Sequence, residues 1–248
     1  MVALTTEALL RALLPVPAWP PDDTEESVVG TDLHQMTIMN LRWGINEVAR
    51  ARTAPGRPAP WQALSQIIVT GFPRPDGTRF QALPDVFVYR HPVDQTRTSL
   101  ALGVDGPPAL IIEVLSDSTY DSDLDLVKGK GYSYAQAGVR EYLTLDPTGR
   151  FLEEPGRGWR LIEGAYQLWP PDGQGRWRSE ELTLAIGLEG VLAAVYTPEG
   201  RRMLREGEIE EERARLGEER DRANAERDQA NAELERLRRL LDERGEQA

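Results

Sequence analysis

A short apolar run interrupted by one charge constrains the fold of this chain most. Residues 108–115 read Pro-Ala-Leu-Ile-Ile-Glu-Val-Leu, and Glu113 is the single charged residue among them. An apolar run of this length favours a strand that is covered on both faces. A carboxylate inside such a strand is costly unless it is paired or binds a metal. The run therefore predicts a central, buried strand that carries a functional acid.

The elements on either side of this strand predict an α/β fold. Helical spacing of apolar residues marks a helix over residues 32–52, and a second helix over residues 124–137 ends at Gly138. Further strands are predicted over residues 63–72, 80–83, 86–89, 109–115 and 140–145, with short strands following to about residue 196. This order describes a mixed central sheet flanked by helices.

The C-terminal part of the chain carries a seven-residue repeat. Its apolar positions fall seven apart, at Ile209, Leu216, Ala223, Ala230 and Leu237. The spacing predicts one long helix that forms a dimeric coiled coil; the alternative is a single solvated helix held by Glu–Arg pairs four residues apart. We accordingly divide the chain into an N-terminal helix and Pro-rich lead (1–24), an α/β domain (25–202) and a coiled-coil helix (203–248), with the N-terminal helix over residues 3–14.

Composition limits the classes of site that this chain can build. It has no cysteine and two histidines, which excludes disulfides, thiolate zinc sites and His-rich metal sites. Any metal would then be held by oxygen, which points to Mg²⁺ or Mn²⁺. The net charge of −12 argues against non-specific nucleic-acid binding, although a local basic groove remains compatible with it. No segment approaches the length of a membrane span, so a cytoplasmic protein without membrane contact is expected.

Three residues in the centre of the chain predict a hydrolytic site. Asp85 follows a proline at the start of one predicted strand, and Glu113 lies in another. If these strands are neighbours, the two carboxylates and the backbone carbonyl of Val114 would form a Mg²⁺ site. Alternatively, Glu113 simply pairs with Arg140.

The chain has only two lysines, Lys128 and Lys130, among 29 basic residues. Unlike arginine, a lysine can change its pKa on burial and can orient water or stabilise a phosphate. We therefore expect one of the two to complete an acid-acid-lysine site, the alternative being that they are remnants of codon bias.

The motifs Pro84-Asp85, Glu113 and Lys130-Gly-Tyr-Ser-Tyr134-Ala-Gln-Ala-Gly138 together resemble the Uma-type family of restriction endonucleases. The resemblance covers roughly residues 25–200 and implies the PD-(D/E)xK nuclease fold. It implies that Asp85 and Glu113 bind the metal. Leu115 occupies the place of the motif's lysine, and in this family the lysine comes from the following helix, four residues before a tyrosine. That spacing selects Lys130, with Lys128 as the alternative.

Other polar residues are weaker candidates for the site. His34 and Glu47, on the first long helix, could face the substrate, but a helix-start hydrogen bond and a solvated position are the competing interpretations. Ser116 and Thr119 are expected to order the turn after the central strand, and Tyr134 and Tyr142 to belong to the core. The acidic cluster of Asp121, Asp123 and Asp125 could bind a second metal, although an exposed, helix-capping loop is the stronger expectation.

Two functions follow from these patterns. The first is a Mg²⁺-dependent endonuclease that hydrolyses DNA phosphodiester bonds, with the tail joining two copies into a homodimer. The second is a catalytically inactive scaffold on a nuclease fold, which acts through its coiled-coil tail.

Overall fold

A computed structural model describes residues 32–94 and 96–245 of the chain. Contacts divide the chain into two units, with the boundary between Met203 and Leu204. The predicted N-terminal helix over residues 3–14, and with it the predicted segment 1–24, lies outside the described residues. Within the described residues, no helix has the combination of length and hydropathy that crossing a membrane requires.

The described residues form five helices and twelve strands. The helices are α1 (Asp32–Ala51), α2 (Leu102–Asp105), α3 (Tyr120–Leu124), α4 (Lys130–Ala137) and α5 (Glu206–Gly245). The strands are β1 (Gln62–Leu64), β2 (Ile68–Pro73), β3 (Arg79–Ala82), β4 (Val86–Tyr89), β5 (Ser99–Ala101), β6 (Leu110–Val114), β7 (Glu141–Leu145), β8 (Gly156–Ile162), β9 (Ala165–Trp169), β10 (Trp177–Ser179), β11 (Leu184–Glu189) and β12 (Leu192–Tyr196).

A six-stranded mixed sheet in the order β1-β4-β6-β7-β8-β9 is the centre of the first unit. Strands β6 and β7 are parallel, and the other neighbouring pairs are antiparallel. All five residues of β6 are buried, because its two faces pack into two different cores. The prediction of a central buried strand around Glu113 is therefore confirmed.

Each face of the central sheet has its own cover. On one face, α1 and the small sheet β10-β11-β12 enclose a core that includes Leu41, Ile112 and Trp177. On the other face, the small sheet β3-β2-β5 packs with α4 around Phe87 and Tyr142. The prediction of a mixed α/β fold is confirmed, with the addition of these two smaller sheets.

Two predicted elements have different bounds in the structure. The strand expected over residues 63–72 breaks at Gln66, whose φ of 56° is incompatible with an extended strand. As a result, β1 joins the central sheet and β2 joins a small one. The helix expected over residues 124–137 begins six residues late, as α4, because Asp125 Oδ1 accepts hydrogen bonds from the amides of Val127 and Lys128 and forms a turn. The short helix α3, which precedes this turn, was not predicted.

The second unit is the helix α5. Its length agrees with the prediction of one long C-terminal helix. Leu216, which belongs to the predicted heptad series, and Leu234 are about half exposed. The pairing of two such helices stays a prediction.

Candidate active site

Asp85 and Glu113 meet at one end of the central sheet. Strands β4 and β6 are neighbours, with Val86 opposite Ile112, so that Asp85 lies opposite Glu113 at the next position. The amide of Asp85 donates to Glu113 Oε2 over 3.2 Å, and the amide of Val114 donates to Asp85 Oδ2 over 2.8 Å. The predicted adjacency of the two strands is confirmed, and it places both carboxylates and Val114 together.

Of the two lysines, the structure brings Lys130 to these acids. Its side chain is 5% exposed, and Nζ lies 3.6 Å from Glu113 Oε1. Lys128 is exposed, and its backbone amide belongs to the turn around Asp125. The alternative pairing of Glu113 with Arg140 is not formed, since Arg140 is exposed. The spacing argument for Lys130 thus agrees with the observed geometry, while the catalytic role of any of these residues stays a prediction.

The glycines on either side of Lys130 explain how the lysine reaches the site. A Cβ added at Gly129 would lie 2.3 Å from the carbonyl oxygen of Ser122, and one added at Gly131 would lie 2.5 Å from Leu126 Cδ2. Both distances are too short for real contacts, and at Gly129 the neighbour is a backbone carbonyl that no side-chain rotation removes, so the first turn of α4 packs this closely against the segment 120–126 only with glycine at position 129. The glycines that weaken the helix therefore permit the approach that buries Lys130.

Asp123 is a member of the site that the sequence did not single out from its neighbours. Its side chain is 1% exposed, and Oδ1 lies 3.1 Å from Lys130 Nζ. The hydroxyl of Tyr142 donates to the carbonyl oxygen of Asp123 over 2.7 Å and so fixes this end of α3. The expectation that Asp121, Asp123 and Asp125 form an exposed loop is therefore wrong for Asp123, because α3 turns that side chain inward.

Two further side chains contact the acids. The hydroxyl of Tyr134, fully buried on α4, donates to Glu113 Oε1 over 2.6 Å. His34 Nε2 lies 3.3 Å from Asp85 Oδ1, at the start of α1. Tyr134 is thus both a core residue, as expected, and a partner of the site, while His34 contacts a site carboxylate rather than only its own helix.

The remaining candidates lie outside the cluster. Glu47 pairs with Arg50 on the surface of α1. Ser116 and Thr119 are joined through their hydroxyls, 3.0 Å apart, in the turn after β6, as predicted. Tyr142 belongs to the core, also as predicted.

Burial and charge determine the protonation of the site. Burial raises the pKa of Glu113 well above its usual range and also raises the pKa of Asp123, and Lys130 opposes both shifts. The hydrogen bond with Asp85 raises the pKa of His34. Three carboxyl groups and one buried ammonium therefore lie together, so that carboxyl oxygen is in excess, and burial favours the neutral, protonated form of Glu113 and Asp123.

This excess of carboxylate oxygen suits a hard divalent cation. Among the described residues, no group of three or more histidine, aspartate or glutamate side chains forms a complete cage for a metal. Mg²⁺ does not require such a cage, because it keeps several waters and uses one or two carboxylates. Asp85, 21% exposed, and the buried Glu113 beside it supply two such carboxylates.

Comparisons with known proteins assign the chain to a family. No curated protein and no solved structure matches the chain. The Uma2 family, described as "Putative restriction endonuclease", matches residues 57–195, a range that contains Asp85, Glu113, Asp123 and Lys130. Because this match covers more than half of the chain, the protein belongs to the Uma2 family of restriction endonuclease-like proteins.

Proposed function

We propose that this protein is a metal-dependent endonuclease that hydrolyses phosphodiester bonds in DNA, with Mg²⁺ or Mn²⁺ as its cofactor. The observation that carries the proposal is the buried lysine between two acids: Lys130 Nζ lies 3.6 Å from Glu113 and 3.1 Å from Asp123. The family membership supports a nuclease, and the adjacent Asp85 supplies the second metal-binding carboxylate.

Each residue has a distinct role in this proposal. Asp85 and Glu113 would hold the cation, with the carbonyl of Val114 as a further oxygen ligand. When bound, the cation supplies Lewis-acid polarisation of the phosphate and lowers the pKa of the attacking water. Lys130 would orient that water or stabilise the negative charge that develops on the phosphate. Tyr134 fixes the orientation of Glu113 through its hydrogen bond to Oε1.

DNA cleavage tests this proposal directly. Supercoiled and linear DNA would be incubated with wild type, Asp85→Asn or Asp94→Asn, in Mg²⁺ or Mn²⁺. Asp94 is an exposed aspartate that accepts hydrogen bonds from Thr96, so its replacement controls for the loss of an arbitrary carboxylate. We expect metal-dependent cleavage by wild type and Asp94→Asn, and none by Asp85→Asn. Equal cleavage by all three proteins would reject the assignment of Asp85.

We further propose that two copies associate through α5 and that the two sites act on two DNA strands. The heptad spacing and the half-exposed Leu216 and Leu234 support this pairing. Light scattering on wild type and on Leu216→Asp would test it. A monomeric wild type would reject the pairing without affecting the assignment of the nuclease site.

The same tail supports a second candidate, a scaffold that has lost catalysis and recruits a partner helix. Metal-dependent stability separates the two functions. The nuclease predicts that Mn²⁺ raises the melting temperature of wild type but not of Asp85→Asn. The scaffold predicts no such rise and no cleavage.

A further inference from the structure

We infer that Asp123 is a positioning residue that holds the Lys130 ammonium beside Glu113. This inference rests on the proposed function for its catalytic consequence, but the ion pair that it names is testable without activity. Asp123 and Lys130 are 1% and 4% exposed, and their charged groups lie 3.1 Å apart. This separation is shorter than the 3.6 Å between the ammonium and Glu113.

The origin of Lys130 explains why it needs an anchor. The lysine comes from the first residue of α4, not from the strand that carries Glu113. Its flexible stem has four rotatable bonds, and the strand does not fix its direction. The N-terminus of a helix also carries partial positive charge, which disfavours a cation there. A carboxylate within reach of the ammonium offsets both effects.

The position of Asp123 is itself fixed by the fold. Its backbone amide donates to the carbonyl oxygen of Thr119, the residue before α3, and its own carbonyl oxygen accepts the hydrogen bond from the Tyr142 hydroxyl. Lys130 Nζ lies 3.1 Å from Oδ1 of this buried carboxylate, and hydrogen bonds from the side chains of Thr119 and Lys130 favour its charged form. The carboxylate is thus held rigidly and directed at the lysine.

Asp121 and Asp125 do not share this arrangement. Asp121 is exposed, and Asp125 uses Oδ1 to bind the amides of the turn before α4. Of these three acids, therefore, only Asp123 contacts the ammonium. In the proposed nuclease, this contact would also draw the ammonium partly away from Glu113 and leave that carboxylate available to the cation.

A double-mutant cycle tests the inference. Urea unfolding of the full chain would be followed by tryptophan fluorescence in EDTA, for wild type, Asp123→Asn, Lys130→Met and the double variant. All six tryptophans precede the tail, so the signal reports on the first unit. Asp117→Asn, which removes an exposed carboxylate paired with Arg150, is the matched control in both backgrounds.

We expect Asp123→Asn to lower the folding equilibrium constant more when Lys130 is present than when methionine replaces it. The two effects should differ by about tenfold or more. The control should have the same effect in both backgrounds. An equal effect of Asp123→Asn in both backgrounds would overturn the inference. If Lys130→Met does not fold, Lys130→Gln completes the same cycle.

Two substitutions of Asp123 distinguish a role of its negative charge from a role of its side-chain shape. If DNA is cleaved, Asp123→Glu should retain more of kcat than the isosteric Asp123→Asn, with little change in KM, because only glutamate keeps the charge. The opposite ranking would show that shape matters and would reject the positioning role. If wild type cleaves no DNA, the proposed function fails, while the unfolding cycle still decides whether Asp123 holds Lys130.

Discussion

Replacing Gly129 by alanine should destabilise the protein and displace its buried lysine. Gly129 has φ −87° and ψ −161°, an extended conformation that alanine adopts without strain. The obstacle is space: the new Cβ would lie 2.3 Å from the Ser122 carbonyl oxygen and 2.7 Å from Asp125 Cβ. Both neighbours belong to the segment that precedes α4, and neither the carbonyl nor a Cβ can rotate away.

The magnitude follows from the size of this overlap. An ordinary carbon–oxygen contact is about 3.3 Å or longer, so the start of α4 would retreat by about 1 Å. Overpacking of this kind costs about 1–3 kcal/mol. Replacing glycine by alanine restricts the unfolded chain and returns about 0.4–1 kcal/mol. The free energy of unfolding should therefore fall by about 1–2 kcal/mol. A shift of about 1 Å in a catalytic group can reduce the rate about a hundredfold. The rate of DNA cleavage should therefore fall even under conditions in which the variant remains folded.

Gly103 provides the matched control. It is exposed in α2, and a Cβ added there would meet nothing within 4 Å. Gly103→Ala should therefore be neutral or slightly stabilising in urea unfolding. If Gly129→Ala is as stable as Gly103→Ala, then α4 does not depend on close contact with Ser122, and the explanation for the glycine is wrong.

Three further predictions concern buried polar groups. Lys130→Met should raise the pKa of Glu113 and Asp123 further, so the folded state keeps protons that the unfolded chain, with ordinary pKa values of 4.5 and 3.8, releases. The loss of stability relative to wild type should be small while both carboxyls are protonated in folded wild type, and it should grow as the pH rises through their raised pKa values. Urea unfolding at a series of pH values measures it, and unfolding of Lys128→Met should match wild type at every pH. Tyr134→Phe removes the 2.6 Å hydrogen bond to Glu113 and should cost about 1–2 kcal/mol in urea unfolding, with Tyr132→Phe unchanged. Asp146→Ala removes the acceptor for hydrogen bonds from Thr148, Phe151 and Leu152 and should lower the free energy of unfolding by about 2–4 kcal/mol. Thermal unfolding would show this loss as a lower midpoint temperature. Asp76→Ala, at an exposed turn, should change that midpoint little.

Local sequence patterns predicted the strands of the site well. Strand β4 matches its predicted bounds, and β6 lies within the apolar run that predicted it. These segments are short, apolar and ended by proline or polar residues, so local preference and tertiary burial agree. Gly138 also ends α4 in the left-handed conformation that a helix C-terminus favours.

The same patterns failed where a single side chain redirects the backbone. Periodicity did not reveal that Asp125 forms a turn between two helices, because its effect depends on two amides two and three residues later. Nor did any local signal separate the buried Asp123 from the exposed Asp121, since both acids lie next to Ser122 in one short acidic segment. No local pattern predicted the break in the strand at Gln66, because glutamine as a residue type does not require a positive φ.

The sequence by itself determined the chemistry available to this protein. Two lysines, two histidines and no cysteine restrict a metal site to oxygen ligands, and one charge in an apolar strand identifies Glu113. Only the tertiary structure decided which groups meet. The register of β4 and β6 brings Asp85 to Glu113, and the close packing of α4 on the segment after β6 selects Lys130 and adds Asp123. These contacts join residues up to 28 positions apart, and local spacing cannot encode them because they depend on how separate elements pack.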